Sequence, residues 1–252
     1  HCVTRRQRQM CIRDSLNPNV TQVSRGELLR DTARVLGRYL DILAIRTFEQ
    51  KDLEDFANYA KIPIINALTD REHPCQILAD LLTVKEYFGN LDGVTLSYFG
   101  DGNNVANSLL LGCAMVGINV RIATPENYMP NKEIVEEANT IAIANGKSEV
   151  IVTQNPQVAV KDTQVLYTDV WASMGQEQET NNRIPIFKPY QVNEKLLESA
   201  ADDAIVLHCL PAHRDEEITD AVIEGDRSRV WEQAENRMHA QKALLVSLLG
   251  SD

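Results

Sequence analysis

From residue 94 onward the sequence alternates two patterns. Short apolar runs at 94–99, 119–123, 150–152, 165–167 and 204–207 are rich in Val, Ile, Leu and Tyr. Runs of this length and composition predict parallel strands covered on both faces. Between them, longer stretches at 103–117, 131–145 and 191–200 predict helices. Gly117 ends the first of these and Asn145-Gly146 the second, as residues that tolerate left-handed backbone do. Strands alternating with helices predict a doubly wound α/β domain with right-handed crossovers.

The stretch before residue 94 reads mainly as helix. Residues 31–40 and 51–60 predict helices, 42–45 and 63–66 short strands, and 76–88 a strong amphipathic helix that stops at Gly89. A further long helix is predicted over 230–249, with Ala234, Met238 and Leu245 among its apolar positions. The expected fold class is therefore α/β, with two doubly wound parallel-sheet domains of which the first is incomplete. The expected division is a leader over 1–15, a first domain over 16–88 completed by the helix of 230–252, and a second domain over 89–229. No internal repeat or low-complexity tract appears.

Charge and cysteine usage narrow the function classes. A net charge of −11 argues against nucleic acid as a partner, because neutralising phosphates needs a basic surface. No run of about 18 apolar residues predicts a membrane span. Five cysteines, an odd number without C-x-x-C spacing, predict reduced thiols in a reducing compartment such as the cytoplasm, and no zinc motif. Residues 1–15 stand apart: Arg5, Arg6, Arg8 and Arg13 face one acid, Asp14, without periodicity. They suit a transit peptide poorly and read as a fragment boundary outside the fold.

The chemistry-bearing residues follow the strands. Gly100-Asp101-Gly102-Asn103-Asn104, the segment from Asp169 to Gly175, and His208-Cys209-Leu210-Pro211 each follow a predicted strand. Ligands of open parallel sheets bind at the carboxyl ends of strands, so three polar clusters there predict one site. The glycine turn lacks G-x-G-x-x-G spacing and reads as a tight turn with an N-cap, not a dinucleotide site. Asp169 and Ser173 suit a small ligand with an α-amino and an α-carboxylate group, although Asp and Ser also favour helix starts. Cys209 by its position reads first as a small buried hydrophobe, reactive only if cations lower its pKa, and His208 reads equally as a satisfied core histidine. Upstream, His73-Pro74-Cys75-Gln76 opens a helix, with Pro74 pre-setting the first turn and His73 and Gln76 near an anion-attracting N-terminus. Arg46 and Arg237, should they converge there, suit a phosphate by bidentate hydrogen bonding.

His73-Pro74-Cys75-Gln76, Asp169-Val170-Trp171-Ala172-Ser173-Met174-Gly175 and His208-Cys209-Leu210-Pro211 resemble signature segments of the ornithine carbamoyltransferases. The 31–36, 100–104 and 233–237 segments are also similar to that family, and the resemblance runs from about Leu16 onward. It implies carbamoyl transfer from carbamoyl phosphate to the δ-amine of L-ornithine, giving citrulline and phosphate without cofactor or metal. It further implies that Arg46, His73, Pro74, Cys75, Gln76 and Arg237 bind carbamoyl phosphate, with Gln22 reaching it from a neighbouring subunit of a homotrimer. Asn104, Asp169, Ser173 and Met174 are implied to bind ornithine. Cys209, with Leu210 beside the reacting centre, is implied to accept a proton.

One departure from the family pattern carries an expectation. The family's Ser-Thr-Arg-Thr-Arg phosphate loop has no counterpart upstream of Leu16, and Thr4-Arg5-Arg6 is not equivalent. The chain is therefore expected to be N-terminally shortened, with an incomplete active site and little or no activity. Each charge-assisted hydrogen bond lost with that loop is worth roughly 1.5–3 kcal/mol. The competing readings are a carbamoyltransferase for putrescine or an acylated ornithine, a non-catalytic binding protein of the same descent and, more distantly, a nucleotide-dependent oxidoreductase.

Overall fold

The computed structural model describes residues 26–172 and 180–250 of the chain. Gln22, Ser173, Met174 and residues 1–15 lie outside the described residues. Of the described residues, 26–43 together with Lys51–Ile65 form one compact unit, and Ala44–Gln50 with those from Asn66 onward form a second.

The elements are α1 (Leu29–Leu36), β1 (Leu43–Arg46), α2 (Gln50–Ala60), β2 (Ile64–Leu68), α3 (Pro74–Phe88), β3 (Thr95–Phe99), α4 (Asn104–Val116) and β4 (Asn119–Ala123). They continue with α5 (Lys132–Asn145), β5 (Val150–Thr153), α6 (Pro156–Val160), β6 (Val165–Thr168), α7 (Thr180–Phe187), α8 (Glu194–Glu198), β7 (Ile205–His208), α9 (Asp220–Ile223) and α10 (Val230–Leu249). β1 and β2 form a two-stranded sheet, and the larger sheet has the order β5-β4-β3-β6-β7. Every pairing within the larger sheet is parallel.

The larger sheet is covered on both faces, which explains its uniform apolar runs. Leu96 and Tyr98 of β3, Val165 and Tyr167 of β6, and Ile205 and Leu207 of β7 point into one core cluster, shared with α4 and α5. The alternate residues Phe99, Leu166 and Val206 point into the cluster on the opposite face. This is the two-residue side-chain period of a strand read twice, once per face.

Capping residues set the helix limits. Asn103 accepts hydrogen bonds from the Val105 and Ala106 N–H groups and starts α4, while Asn131 does the same for α5. Gly89, Gly117 and Gly146 end α3, α4 and α5 with left-handed backbone. The helix expected over 191–200 is much shorter. Asn193 caps it by accepting from the Leu196 N–H, so only Glu194–Glu198 is helical, and a 3-10 turn over Lys188–Tyr190 precedes it. The helix expected over 31–40 runs instead from Leu29 to Leu36 and closes on Gly37. α6, α7 and α9 were not anticipated: α6 and α9 are too short to show a period, and α7 carries an internal proline. Among the described residues, no helix is long and apolar enough to cross a membrane.

Candidate functional site

The larger sheet changes winding direction between β3 and β6. Its order places β4 and β5 on one side of β3, and β6 and β7 on the other. The carboxyl ends of β3 and β6 therefore flank the crevice in which open α/β sheets bind ligands. Asn103, just after β3, donates from Nδ2 to Asp169 Oδ2 at 2.8 Å, just after β6. The Val170 N–H donates to Asp169 Oδ1 at 2.8 Å. The thiol of Cys209, just after β7, donates to the same oxygen at 2.9 Å. Three strand ends thus meet on one buried carboxylate. Close packing underneath sets this geometry: a Cβ on Gly102 would lie 2.3 Å from the Pro130 backbone nitrogen.

Cys209 is in a different electrostatic setting from a nucleophilic cysteine. Burial pushes its thiol well above the usual range, and the Asp169 carboxylate pushes it further. The group is a hydrogen-bond donor here, and the dominant influences raise its pKa, the opposite of what reactivity would require. Its strand is anchored from behind. The Leu210 N–H donates to His208 Nδ1 at 2.9 Å, so the imidazole carries its hydrogen on Nε2 and directs it to Glu217 Oε1 at 3.1 Å. Leu210 adopts left-handed backbone, with φ of 55°, and the peptide bond to Pro211 is cis.

The first two turns of α4 hold the loop that leads into α3. Asn104 Nδ2 donates to the Thr69 carbonyl at 2.6 Å, and Asn107 Nδ2 donates to the Arg71 carbonyl at 2.9 Å. Ser108 Oγ accepts from the His73 N–H at 2.7 Å. Residues three and four apart share a helix face, so one face of α4 satisfies three backbone groups of that loop. Pro74 takes the first helical position of α3, and the Cys75 thiol donates to the Asn66 carbonyl at 3.3 Å.

His73 is buried, and its pKa is lowered to about 4 by burial, then by the positive charges of Arg237 and Arg46. At neutral pH it is therefore an uncharged imidazole subject to the charges of two arginines. Among the described residues, its Nδ1 has no hydrogen-bond partner. Arg237 of α10 donates to Gln76 Oε1 at 2.5 Å. Beneath that pair lies Asp80, fully buried, which accepts from Gln76 Nε2 at 2.8 Å and Gln233 Nε2 at 2.6 Å. Burial raises the Asp80 carboxyl to about 7, against the opposing pull of the Gln233 and Gln76 amides, the Tyr167 hydroxyl and Arg237.

The structure therefore gathers two sets of sequence-predicted residues. Arg46, His73, Gln76 and Arg237 make a cationic set around a neutral imidazole. Asp169 and Cys209 make a carboxylate set at the switch point, with Asn104 one residue beyond its Asn103 member. Sequence reasoning missed Asn103 as an Asp169 partner, the loop-holding Asn107 and Ser108, and the buried Asp80, Gln233 and Tyr167. Asp80 and Gln233 lie on helix faces where a buried polar residue was the only signal. Among the described residues, His213, Glu216 and Glu217 bring potential metal ligands within 4.8 Å of one another. Glu217 Oε1 is already engaged there by His208 and by the His213 N–H.

Comparison with known proteins finds matches over most of the chain. The family model for the aspartate/ornithine carbamoyltransferase Asp/Orn binding domain matches residues 92–248, and that for the carbamoyl-P binding domain matches residues 8–86. An ornithine carbamoyltransferase of Nostoc punctiforme is 72% identical over 237 residues, covering 94% of this chain and 77% of that protein. The ornithine carbamoyltransferase structure from Gloeobacter violaceus is 57% identical with a TM-score of 0.84, covering 89% of this chain and 75% of that one. The one from Pyrococcus furiosus is 49% identical with a TM-score of 0.90, covering 94% and 76% respectively.

Proposed function

This chain belongs to the aspartate/ornithine carbamoyltransferase family, and on that premise we propose that it transfers the carbamoyl group of carbamoyl phosphate to the δ-amine of L-ornithine. The observation that carries the assignment is the Arg237–Gln76 hydrogen bond near the buried His73, whose pKa is lowered to about 4 by burial and by the charges of Arg237 and Arg46. Two guanidinium groups suit the phosphate of the donor. A neutral imidazole can give one N–H to the carbamoyl oxygen as negative charge develops there, without having to lose a proton first.

The neutral δ-amine attacks the carbamoyl carbon and forms a C–N bond. The tetrahedral intermediate then collapses, the C–O bond to phosphate breaks, and phosphate leaves with the bonding electrons. The amine proton passes to the departing phosphate, giving citrulline and inorganic phosphate. Cys209 is a poor proton acceptor while its thiol already holds a hydrogen against Asp169. We assign it instead to holding Asp169, which takes the α-amino group of ornithine. Asn104, Ser173 and Met174 complete the ornithine side, and the backbone at Leu210 lies beside the reacting centre. Pro74, Cys75 and Gln22 belong to the carbamoyl-phosphate side, with Gln22 reaching a neighbouring subunit in a cytoplasmic homotrimer.

The division into a carbamoyl-phosphate domain over 16–88 and an ornithine domain over 89–229 follows the same reading. α10 goes with the first because its Gln233, Asn236 and Arg237 side chains bond to Asp80, Thr83 and Gln76 of α3. The test is citrulline formation by the protein, with ornithine, putrescine and N-acetylornithine compared as acceptors. Ornithine is expected to dominate. A faster reaction with either other amine, or none with any of the three, rejects the assignment. Sedimentation of the same protein tests the trimer.

A further inference from the structure

Behind the cationic set, the hydrogen-bond chemistry of one buried carboxylate dictates how a substrate-side amide must face. The His208 backbone N–H can only donate, and Gln233 Oε1 accepts it at 2.8 Å. That fixes Gln233 with its NH2 group turned inward, toward Asp80 at 2.6 Å and the Tyr167 hydroxyl at 3.1 Å. Both amides meet Asp80 Oδ1, whereas Oδ2 has no hydrogen-bond partner among the described residues, so Oδ1 accepts whether the group is ionised or carries a proton on Oδ2. Gln76 must therefore also turn its NH2 group inward, to the same Asp80 Oδ1, at 2.8 Å. Its Oε1 is left facing Arg237 and the site. The oxygen and nitrogen of an amide look alike to shape alone, so the orientation of Gln76 is decided by this chain of donors and acceptors. The side chains of Asp80, Gln233, Gln76 and Tyr167 are all nine-tenths or more buried, so water cannot substitute for a missing partner.

We propose that Asp80, locked in place by Gln233, is a positioning residue that sets the amide of Gln76 so that an acceptor oxygen, and not an NH2 group, faces the carbamoyl-phosphate site. The consequence is a polarity match. The carbamoyl group carries an NH2 that needs an acceptor and a carbonyl oxygen that needs a donor. Gln76 Oε1 supplies the first, and His73 and the arginines supply the second. A flipped Gln76 would set NH2 against NH2 and a second donor against Arg237. The inference rests on the carbamoyl-phosphate reading of this site.

The experiment is a double-mutant cycle in the protein, using Asp80→Leu, Gln76→Leu and their combination, with Asp80→Asn as the conservative control. Leu matches the shape of Asp but offers no acceptor, whereas Asn retains one at the Oδ1 position. Each Leu variant is expected to lower kcat/KM for carbamoyl phosphate by about 10- to 100-fold, the range expected from one hydrogen bond to a polar transition state. The KM for carbamoyl phosphate should rise while that for ornithine stays within about twofold, a split that a merely structural defect would not produce. The combined variant should be no more than about threefold worse than the worse single one, because both act through the same oxygen. Asp80→Asn should stay within about threefold of the native protein. Multiplicative losses in the cycle, or a folded Asp80→Asn that loses more than about tenfold, overturn the positioning role. Should Asp80→Leu fail to fold, the Asn variant alone decides. A native protein that makes no citrulline rejects the functional reading itself, whereas native turnover with multiplicative losses rejects only the role of Asp80.

Discussion

The buried ion pair between Asp101 and Arg183 offers a stability test that does not depend on the substrate. Arg183 Nη1 lies 2.7 Å from Asp101 Oδ2, with side chains only 6% and 12% exposed. The same nitrogen donates to the Trp171 carbonyl at 2.8 Å, and the guanidinium sits 4.9 Å from the centre of the Tyr128 ring. Burial already raises the Asp101 carboxyl, with Arg183 opposing that rise. Arg183→Met keeps the packing of the stem but strands a buried carboxylate and an unsatisfied carbonyl. Removing one partner of such a pair costs about 3–5 kcal/mol, most of it from the charge left behind. The sign of the pH dependence follows. Without Arg183 the folded-state pKa of Asp101 moves further above its unfolded value, so the variant is weakest at high pH and recovers as pH falls and the carboxyl protonates. Urea denaturation followed by Trp fluorescence at pH 5.5 and 8 reads both effects. The double variant Asp101→Asn/Arg183→Met should regain at least about half the loss, because no charge remains to be stranded. A loss under about 1 kcal/mol at pH 8, or a double variant as weak as the sum of its parts, refutes the reasoning.

Three further outcomes are expected. Asp169→Asn should raise the ornithine KM by about 100-fold, the cost of losing a charged partner for an α-amino group, and leave the carbamoyl-phosphate KM nearly unchanged; steady-state kinetics with each substrate varied checks it. Asp80, raised to about 7, favours the folded state most when protonated, so its contribution is lost as pH rises from about 4 through about 7. The urea midpoint of the native protein should accordingly fall relative to Asp80→Asn between pH 5 and 8, and a constant difference would contradict the shift. Gly102→Ala should destabilise by about 2 kcal/mol or more, measured by thermal unfolding, since the added carbon would meet backbone atoms of Met129 and Pro130 within 2.5 Å.

How much of this was legible beforehand divides by range along the chain. The strand over 119–123 appears as predicted, and the Asn and Gly residues that bound α4 and α5 act as the caps their chemistry suggests. Hydrophobic period and capping are settled within a few residues, so they are written locally. The same locality explains the failure at 191–200, where Asn193 competes with the helix by capping from inside it. Arg46, His73, Gln76, Asp169 and Cys209 were identified as chemistry from their motifs, but their roles toward one another were not. Asn103 meets Asp169 across 66 positions, and Gln233 meets Asp80 across 153.

The sequence by itself determined the strands, the longer helices, the types of residue at the strand ends and the family. Only the tertiary structure decided that Asp169 gathers three strand ends, that the Cys209 thiol is a donor, that burial and two arginine charges lower the His73 pKa, and that the Gln76 and Gln233 amides both meet Asp80. The physical reason is that a protonation state or an amide orientation belongs to an environment of distant groups, brought together by parallel crossovers and the packing of α10 on α3. Residue identity states what a side chain can donate or accept, and burial beside its partners decides which of these it does.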